Sequence, residues 1–251
     1  MLQSNGRDPE PSVSVVIPVR NEAANIVPLV GEIAAALRDR HFEIVVVDDG
    51  STDASGAELR SLTTERPWLR QIRHKQSCGQ SAAIHTGVTM ARAPIIVTLD
   101  GDGQNDPAFV PALIAALEKG APRIGLVAGQ RIGRKASGFR QMQARIANAV
   151  RGAVLGDGAR DSGCGLRAFR RDVFLSLPYF DALHRFLPAL VRREGLEVEF
   201  VDVVDRPRLH GVSKYGLWDR LWVGILDVAG VWWLIRRRKR VPQYEEVTRA
   251  R

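Results

Sequence analysis

The stretch PIIVTLDGDGQNDP (residues 94–107) joins a short apolar run to two carboxylates and a carboxamide at alternate positions. Asp100, Asp102 and Gln104 are spaced i, i+2 and i+4, so an extended backbone would direct all three side chains to one side. Two carboxylates held close together repel each other unless a positive group lies between them. The stretch therefore predicts a buried strand that ends in a site for a lysine, an arginine or a metal ion.

The same pattern recurs along the first half of the chain, where short apolar runs alternate with longer amphipathic stretches. The predicted strands cover residues 13–19, 43–49, 69–73, 94–100 and 125–130. The predicted helices cover residues 25–37, 81–91, a segment from a cap at Ser51 or Asp53 to Glu65, and a segment that begins at Pro107. This alternation predicts an α/β fold with a mostly parallel sheet and helices on both faces.

Polar motifs follow three of the predicted strands, and ligands of such folds bind at the carboxyl ends of strands. The motifs are RNE (20–22), DDGST (48–52) and DGDGQ (100–104). In DDGST, Gly50 permits a positive φ, and the two aspartates can accept hydrogen bonds from a base edge or a ribose hydroxyl. A plain turn with a capping aspartate is the alternative for this motif.

The DGDGQ motif supplies hard oxygen ligands of the kind that Mg²⁺ and Mn²⁺ prefer. Few protein ligands are enough, because such ions keep water molecules and bind substrate phosphates. The alternative is a turn in which an aspartate caps the helix at Pro107. The presence of DDGST in the same chain favours the metal site.

The bulk composition is that of a globular protein, with 251 residues, 45% hydrophobic and 25% charged. The length suits one large α/β domain, with two small domains as the alternative. The two cysteines are too few for a disulfide framework, and the start MLQSNGRDPEPS has no apolar core typical of a signal peptide. The net charge is +8, but the acidic motifs lie in the first hundred residues and the basic residues become denser after about residue 130. This asymmetry argues against a uniformly basic nucleic-acid-binding protein.

The second half predicts a basic helix over residues 139–155, a strand over 197–204 and a very apolar helix over 217–235. The last segment, LWDRLWVGILDVAGVWWLI, is about as long as a membrane span of ~20 residues. Asp219, Arg220 and Asp227 interrupt it, and the basic run RRRKR (236–240) follows at once. These features favour an amphipathic helix in the membrane interface, with a full span and a core helix as alternatives.

The motifs are similar to those of family 2 glycosyltransferases of the GT-A fold, above all the polyprenyl-phosphate (dolichol-phosphate) sugar synthases. In the first half they are VVIPVRNEAANI (15–26), VVVDDGSTDAS (45–55), SCGQSAAIHTGVTMA (77–91) and IIVTLDGDGQNDP (95–107). In the second half they are GQR (129–131), Arg140 eight residues before Asn148, DSGCGLRAFRRDVF (161–174) and RLHGVSKYG (208–216). The resemblance spans residues 12–235 and implies a Rossmann-like GT-A domain.

The resemblance implies roles for individual residues. The residues that would line the nucleotide pocket are Pro18, Arg20, Glu22, Asp48 and Asp49. Those near the rest of the donor would be Gly79, Asp100 and Gly101, and those that hold Mg²⁺ or Mn²⁺ would be Asp100, Asp102 and Gln104. The acceptor phosphate would be bound by Arg131, Arg140, Arg208 and Lys214. The residues expected to matter most for catalysis are Asp100, Asp102, Arg131 and Lys214. Arg167 is a weaker candidate for the site, and its expected role is structural.

The implied activity is inverting transfer of a sugar from a UDP- or GDP-sugar to a polyprenyl phosphate. A lipid phosphate is already an anion at neutral pH, so this reaction needs no strong general base. Transfer to a saccharide hydroxyl would need one, and Asp161 and Glu194 are the nearest candidates after residue 130. A non-catalytic basic module that binds nucleic acid is a remote alternative, because it leaves DGDGQ without a role.

The predicted organisation has four parts. They are a flexible leader (1–11), the glycosyltransferase domain (12–209), an acceptor loop and interface helix with a polybasic end (210–240), and a tail (241–251). We expect no nucleic-acid partner. We expect the protein on the cytoplasmic face of a membrane, most simply the bacterial inner membrane, as a peripheral or monotopic enzyme that binds its lipid acceptor there.

Overall fold

The structure is a computed structural model that describes residues 10–132, 151–161, 163–207 and 217–237. The strands are β1 (Val13–Val19), β2 (Phe42–Asp48), β3 (Leu69–Arg73), β4 (Ile95–Thr98), β5 (Ile124–Arg131), β6 (Arg167–Arg170) and β7 (Glu197–Val203). The helices are α1 (Ala23–Ala36), α2 (Ser55–Glu65), α3 (Gln80–Met90), α4 (Val110–Lys119), α5 (Arg171–Ser176), α6 (Leu187–Arg193) and α7 (Leu217–Arg236). Pro107–Phe109 and Leu183–Arg185 form 3₁₀ turns, and residues 151–155 are helical.

The described strands form one sheet in the order β3-β2-β1-β4-β6-β5-β7. All neighbouring pairs are parallel except those of β6, which runs antiparallel to both β4 and β5. The mostly parallel α/β sheet predicted from the sequence is confirmed, but β6 was not predicted. Because β6 runs in the opposite direction, its amino-terminal end lies at the same sheet edge as the carboxyl ends of β1, β2, β4 and β5.

Helices cover both faces of the sheet, as the alternation predicted. In β1, Val15 and Ile17 pack into a core shared with α1, α2 and α4, whereas Val16 packs into a second core with α3 and α5. Burial on both faces explains why the strand sequences are continuous apolar runs rather than alternating ones. Each such side chain contributes about 1.5–3 kcal/mol when it is fully buried, so the central strands form a rigid base for the loops at their ends.

The last helix, α7, packs against the second core along one side. Val231 is 1% exposed, Val228 and Ile235 contact the same core, and the Arg193 side chain donates to the Leu234 carbonyl at 2.9 Å. Trp232 and Trp233 remain 39% and 53% exposed. None of the helices in the described ranges is long and apolar enough to cross a membrane.

Candidate active site

The loops after β1 and β2 are joined by hydrogen bonds between the RNE and DDGST motifs. The Asn21 amide donates to Ser51 Oγ at 2.9 Å, and the Thr52 amide donates to Asn21 Oδ1 at 2.8 Å. The Glu22 amide donates to Ser55 Oγ at 2.9 Å. Asn21 has a positive φ of 57°, which asparagine tolerates better than most residues. The two predicted nucleotide-contacting loops therefore form one surface, which leaves Arg20 exposed and Glu22 half-buried.

Asp48 and Asp49 are both buried and both shape the loops around them. Asp48 Oδ1 accepts a hydrogen bond from the Ser51 amide, and its buried Oδ2 lies 3.5 Å from Arg73 Nε with no hydrogen bond. Asp49 accepts hydrogen bonds from Ser77 Oγ, from the amides of residues 78 and 79, and from His74 Nδ1. Burial opposes ionisation of Asp49, but these hydrogen bonds outweigh it and lower the pKa of that carboxyl. Contact of either aspartate with a nucleotide stays a prediction.

His74 and Cys78 lie beside Asp49, so that one ligand-type atom from each of the three lies within 4.8 Å of the others. Hydrogen bonds explain the position of these three side chains without a metal ion. His74 bridges Asp49 and Thr86, with its Nδ1 and Nε2 at 2.7 Å and 3.0 Å from their oxygens. The cluster thus holds the loop that precedes α3 and places Gly79, with a φ of 91°, at the start of that helix.

The DGDGQ loop turns sharply after β4 and is held by its own side chains. The Asp100 amide donates to Asn105 Oδ1 at 3.1 Å, and the Gln104 amide donates to Asp102 Oδ1 at 3.1 Å. A Cβ on Gly101 would lie 2.7 Å from a methyl carbon of Val19 and 3.0 Å from the Pro18 carbonyl oxygen. Only glycine therefore lets this loop pack directly against the end of β1.

The segment after β7 is attached to the DGDGQ loop. Asn105 forms a β-bridge with Asp205, and the Arg206 amide donates to the Gln104 carbonyl at 2.8 Å. The Arg206 guanidinium also pairs with Asp106 at 2.6 Å and with Glu32 at 2.5 Å. The chain therefore leaves the described part of the domain at residue 207 beside the acidic loop.

Arg131, predicted to bind the acceptor phosphate, lies at the end of β5 between two carboxylates. Its Nε and Nη2 donate to Asp161 at 2.5 Å and 2.9 Å, and its Nη1 donates to Asp205 at 3.2 Å. Burial disfavours the charged form of the Arg131 guanidinium. The two carboxylates stabilise that form more strongly, so the pKa of Arg131 is raised above its ordinary value. Three of its five N–H groups are used in these bonds, which leaves two for a further anion.

A cavity of about 110 Å³ opens beside Asp100, between the start of α3, the start of β6 and the turn at residues 183–185. Gln80 Nε2 donates to Asp100 Oδ1 at 2.8 Å. The buried Arg167 donates to the His184 carbonyl at 2.5 Å, and His184 Nδ1 lies 2.7 Å from Ser81 Oγ. Burial and the charges of the two neighbouring arginines, Arg167 and Arg185, lower the pKa of His184 to about 3, so its ring is neutral.

Asp100 is the carboxylate of this cavity, and its enclosure by protein, followed by the charge of Asp102, raises its pKa to about 6. Nearby Arg167 and Arg131 oppose that rise and Asp205 adds to it. The charged side chains joined by these interactions are the guanidiniums of Arg131 and Arg167 and the carboxylates of Asp100, Asp102, Asp161 and Asp205. Full ionisation leaves two negative charges in excess, which is the charge that one divalent cation would neutralise.

The raised pKa of Asp100 predicts how stability changes with pH in the presence of EDTA. Its folded-state pKa of about 6 lies above the unfolded value near 4. The stabilisation from its protonated form is therefore complete below about pH 4 and is lost as the pH rises through 6, by at most about 3 kcal/mol. The unfolding midpoint of the wild type, measured relative to Asp100→Asn, should fall between pH 4.5 and pH 7.5. If the difference in unfolding midpoint between the two proteins did not change with pH, the raised pKa of Asp100 would be contradicted.

Most of the predicted site residues that the structure describes converge on one edge of the sheet. Residues Pro18 to Glu22, Asp48, Asp49, Gly79, Asp100 to Gln104 and Arg131 all lie at the carboxyl ends of strands or at the start of α3. The other three predicted acceptor-binding residues, Arg140, Arg208 and Lys214, lie outside the described residues, as do most of the leader and the whole tail.

The structure adds Gln80, His184 and Arg185 to the site, and the sequence interpretation did not assign these residues to it. Arg167, a weaker candidate with an expected structural role, lines the same cavity. Asp161, considered only as a general base, forms the bidentate pair with Arg131. The signal for Asp161 and Arg167 was their position in the DSGCGLR segment, which the resemblance already covered.

Comparison with known proteins agrees with this architecture. The sequence model of the family described as "Glycosyl transferase family 2" matches residues 14–177. The dodecaprenyl-phosphate galacturonate synthase of Rhizobium johnstonii is 35% identical over 234 residues, which are 91% of this chain and 68% of that protein. The undecaprenyl-phosphate 4-deoxy-4-formamido-L-arabinose transferase of Edwardsiella ictaluri is 34% identical over 209 residues, 82% of this chain and 63% of that protein. The chain thus spans roughly two thirds of these relatives.

A solved structure has the same fold. Glucosyl-3-phosphoglycerate synthase of Mycobacterium tuberculosis, in complex with Mn²⁺, UDP-glucose and phosphoglyceric acid, superposes with a TM-score of 0.66 at 22% identity. The match covers 92% of this chain and 81% of that protein. This likeness supports the GT-A architecture. The family match and the two relatives show that the chain belongs to glycosyl transferase family 2.

Proposed function

We propose that the protein transfers a sugar, with inversion, from a UDP- or GDP-sugar to a polyprenyl phosphate. The observation that carries this proposal is the order of the sites along the sheet edge. The RNE and DDGST loops, which we predict to contact the nucleotide, follow β1 and β2, and the acidic DGDGQ loop follows β4. The cavity opens at the start of β6, and Arg131 lies at the end of β5. A donor and an anionic acceptor would then meet between β4 and β5. The names of the two relatives, both of which act on polyprenyl phosphates, support this acceptor.

The reaction is a single displacement. An oxygen of the lipid phosphate attacks C1 of the sugar, the bond from C1 to the donor phosphate oxygen breaks, and the nucleoside diphosphate leaves with the bonding electrons. Arg131 would present its two remaining N–H groups to the acceptor phosphate. Its hydrogen bonds to Asp161 and Asp205 would fix the orientation of the guanidinium. Gln80 would hold Asp100 in place through its hydrogen bond of 2.8 Å.

The residues fit a divalent cation of the Mg²⁺ or Mn²⁺ kind. Asp100, Asp102 and Gln104 offer oxygen ligands, and the surrounding network has an excess of two negative charges when it is ionised. A bound ion would stabilise the negative charge that develops on the leaving diphosphate. The Mn²⁺ bound by the glucosyl-3-phosphoglycerate synthase supports the same class of ion.

Transfer to a saccharide hydroxyl is less well supported, because both candidate general bases are already engaged. Asp161 is paired with Arg131, and Glu194 is paired with Arg193 at 2.5 Å. The oxygens of both carboxylates thus already accept hydrogen bonds from a guanidinium and are less accessible to an acceptor hydroxyl. An acceptor that arrives as an anion does not need either of them.

The test is sugar transfer by the purified protein with Mg²⁺ or Mn²⁺, using a panel of UDP- and GDP-sugars with and without undecaprenyl phosphate. We expect a lipid-linked sugar from at least one donor, and we expect EDTA to abolish its formation. Transfer only to saccharides, or donor hydrolysis that is indifferent to the lipid, would contradict the proposed acceptor.

We further propose that residues 12–209 form the catalytic domain and that residues 210–240 form a membrane-interface region. The interface region would bind the cytoplasmic face of the membrane. The support comes from α7, where Trp232 and Trp233 are exposed and carry guanidiniums above their rings. Arg236 lies 3.7 Å from the Trp232 ring centroid, and Arg237 lies 5.8 Å from that of Trp233. Tryptophan and arginine together suit the headgroup region of an anionic bilayer.

The interface proposal predicts that the double variant Trp232→Ala/Trp233→Ala binds anionic vesicles at least tenfold more weakly, because two large apolar surfaces are lost. Sedimentation with phosphatidylglycerol vesicles measures the binding. Leu175→Ala, which removes a 40% exposed apolar side chain on α5, is the control and should bind like the wild type. Equal binding by the double variant would refute the role of α7.

A further inference from the structure

We propose that Asp205 couples the two halves of the site, so that a bound cation and nucleotide strengthen the binding of the acceptor phosphate. The inference rests on the proposed function and concerns the point where the DGDGQ loop meets Arg131. Asp205 would act through its two neighbours, Asn105 on that loop and Arg131 at the end of β5. It is therefore a positioning residue, and its effect should appear in how two ligands influence each other.

The Asp205 carboxylate lies between the two halves and offers one oxygen to each. Its Oδ2 accepts a hydrogen bond from Arg131 Nη1 at 3.2 Å, and its Oδ1 accepts one from Asn105 Nδ2 at 3.4 Å. The side chains of Asp205 and Arg131 are only 18% and 12% exposed, and an ion pair so enclosed is screened less than a surface pair. One carboxylate thus joins the predicted acceptor-binding guanidinium to the predicted metal-binding loop.

On the donor side, Asn105 carries the connection into the DGDGQ loop. Asn105 is 2% exposed, and its Oδ1 accepts a hydrogen bond from the Asp100 amide at 3.1 Å. The same carboxamide therefore bonds to the backbone of a predicted metal ligand with its oxygen and to Asp205 with its nitrogen. A displacement of the loop at Asp100 would move both contacts of Asn105.

The backbone reinforces this side-chain link. Asn105 and Asp205 form an antiparallel β-bridge, and the Arg206 amide donates to the Gln104 carbonyl at 2.8 Å. The Arg206 guanidinium also pairs with Asp106 at 2.6 Å. These contacts hold residues 205–206 against residues 104–106, so Asp205 follows the DGDGQ loop when that loop shifts.

On the acceptor side, Asp205 is one of two carboxylates that fix the orientation of the Arg131 guanidinium. The other, Asp161, binds Nε and Nη2 and also accepts a hydrogen bond from the Gly163 amide at 2.9 Å, within the segment before β6. The two N–H groups left for the acceptor lie one on Nη1 and one on Nη2. Loss of the Asp205 contact would leave the guanidinium held along its Nε–Nη2 edge, and the remaining N–H of Nη1 would lose its fixed direction.

Charge gives the coupling its direction. Asp102 and Asp205 both act on Asp100 as like charges, so the ionised carboxylates push the DGDGQ loop and Asp205 apart. A divalent cation in that loop would remove the repulsion and favour the arrangement in which Asp205 contacts both neighbours. Arg131 is then oriented before the acceptor arrives, which lowers the ordering cost of binding it. Because linkage is reciprocal, the acceptor phosphate should strengthen the binding of cation and nucleotide by the same factor.

The test is the affinity of geranyl phosphate, a short water-soluble prenyl phosphate, measured by isothermal titration calorimetry with and without saturating Mn²⁺ and UDP. UDP carries no sugar, so no transfer occurs during the titration. We expect Mn²⁺ and UDP to lower the dissociation constant of geranyl phosphate about tenfold, which is within the usual range of coupling between two sites. The complex of Mn²⁺ with UDP keeps a net negative charge at neutral pH, so its own charge does not attract a second phosphate.

In Asp205→Asn we expect the ratio of the two dissociation constants to fall from about ten to below about two. The change removes the charge that pairs with Arg131 and replaces one acceptor oxygen by a donor. Asp205→Ser, whose side chain is too short to bridge the two neighbours, is the second variant and should lose the coupling in the same way. Circular dichroism checks that both variants are folded. A folded variant that keeps the full ratio would overturn the inference, as would a wild-type ratio of one.

Asp161→Asn is the comparison that separates coupling from simple support of Arg131, because it removes the other carboxylate. It should weaken geranyl phosphate binding by a similar factor with and without Mn²⁺ and UDP, and so keep the wild-type ratio. Equal loss of the ratio in Asp161→Asn and Asp205→Asn would refute the special place of Asp205. Asp202→Asn removes a 54% exposed partner of Arg160 on β7, three residues before Asp205. It is the matched surface control and should change neither affinity.

The failure of this inference is distinguishable from the failure of the proposed function. Binding of geranyl phosphate with a ratio of one, together with transfer to undecaprenyl phosphate, would leave the function intact and refute the coupling. The absence of geranyl phosphate binding under both conditions, together with no lipid-linked product from any donor of the panel, would refute the proposed function and the coupling with it.

Discussion

Replacing Gly165 by alanine is expected to reduce sugar transfer by roughly 10²- to 10³-fold, the size of effect seen when one strong charge contact is misplaced in an active site. A Cβ at this position would lie 2.4 Å from the carboxyl carbon and Oδ2 of Asp100 and 2.5 Å from its Oδ1. Gly165 cannot easily move away, because its carbonyl accepts a hydrogen bond of 2.8 Å from Thr98 Oγ1. The Asp100 carboxylate must therefore leave its position.

The backbone itself does not require glycine at this position, because the φ of Gly165 lies outside the left-handed range. The expected loss of activity is consequently caused by the steric clash with Asp100 and not by a strained backbone conformation. Gly31→Ala in α1 is the matched control, since a Cβ there meets nothing within 4 Å, and it should be fully active. Steady-state kinetics measure the effect, and circular dichroism confirms folding. Normal turnover by a folded Gly165→Ala enzyme would show that Asp100 need not stay where the structure places it.

Replacing Asp102 by asparagine is expected to lower turnover by a similar roughly 10²- to 10³-fold. We expect Mn²⁺ to raise the unfolding midpoint of the wild type, and we expect this substitution to abolish that rise. Asparagine keeps the oxygen that accepts the hydrogen bond from the Gln104 amide, so the loop should retain its shape. The change removes one negative charge from the network around Asp100. Binding of a divalent cation should weaken in proportion to that loss.

Asp39→Asn is the control for this substitution, because Asp39 is 89% exposed and its only ion pair in the described part of the chain is with the adjacent Arg38 at 3.6 Å. It should keep both turnover and the Mn²⁺-dependent rise. Thermal unfolding with and without Mn²⁺ gives a readout that does not depend on activity. If Asp102→Asn retained full activity and the full Mn²⁺ response, the metal assignment of the DGDGQ motif would be wrong.

The elements with strong periodicity were predicted closely. The strand over 69–73 matches β3, and the helix over 217–235 differs from α7 by one residue at its carboxyl end. The predicted strand over 94–100 is shorter in the structure, because the chain leaves the sheet after Thr98 and turns at Gly101. The four-residue β6 was missed, since so short a segment carries little periodic signal.

The sequence by itself determined the alternation of strands and helices and the motifs at the strand ends, because these depend on local hydrophobic periodicity and turn chemistry. Only the tertiary structure decided which distant residues meet. Arg131 pairs with residues 30 and 74 positions further along the chain, and Ser81 contacts a histidine 103 positions away. The contact with Asp161 depends on the antiparallel strand β6 between β4 and β5, which brings the DSGCGLR segment to the acidic edge, and the contact with Asp205 depends on β7, which lies beside β5. A short strand is chosen by long-range pairing and packing, and local sequence does not encode that choice.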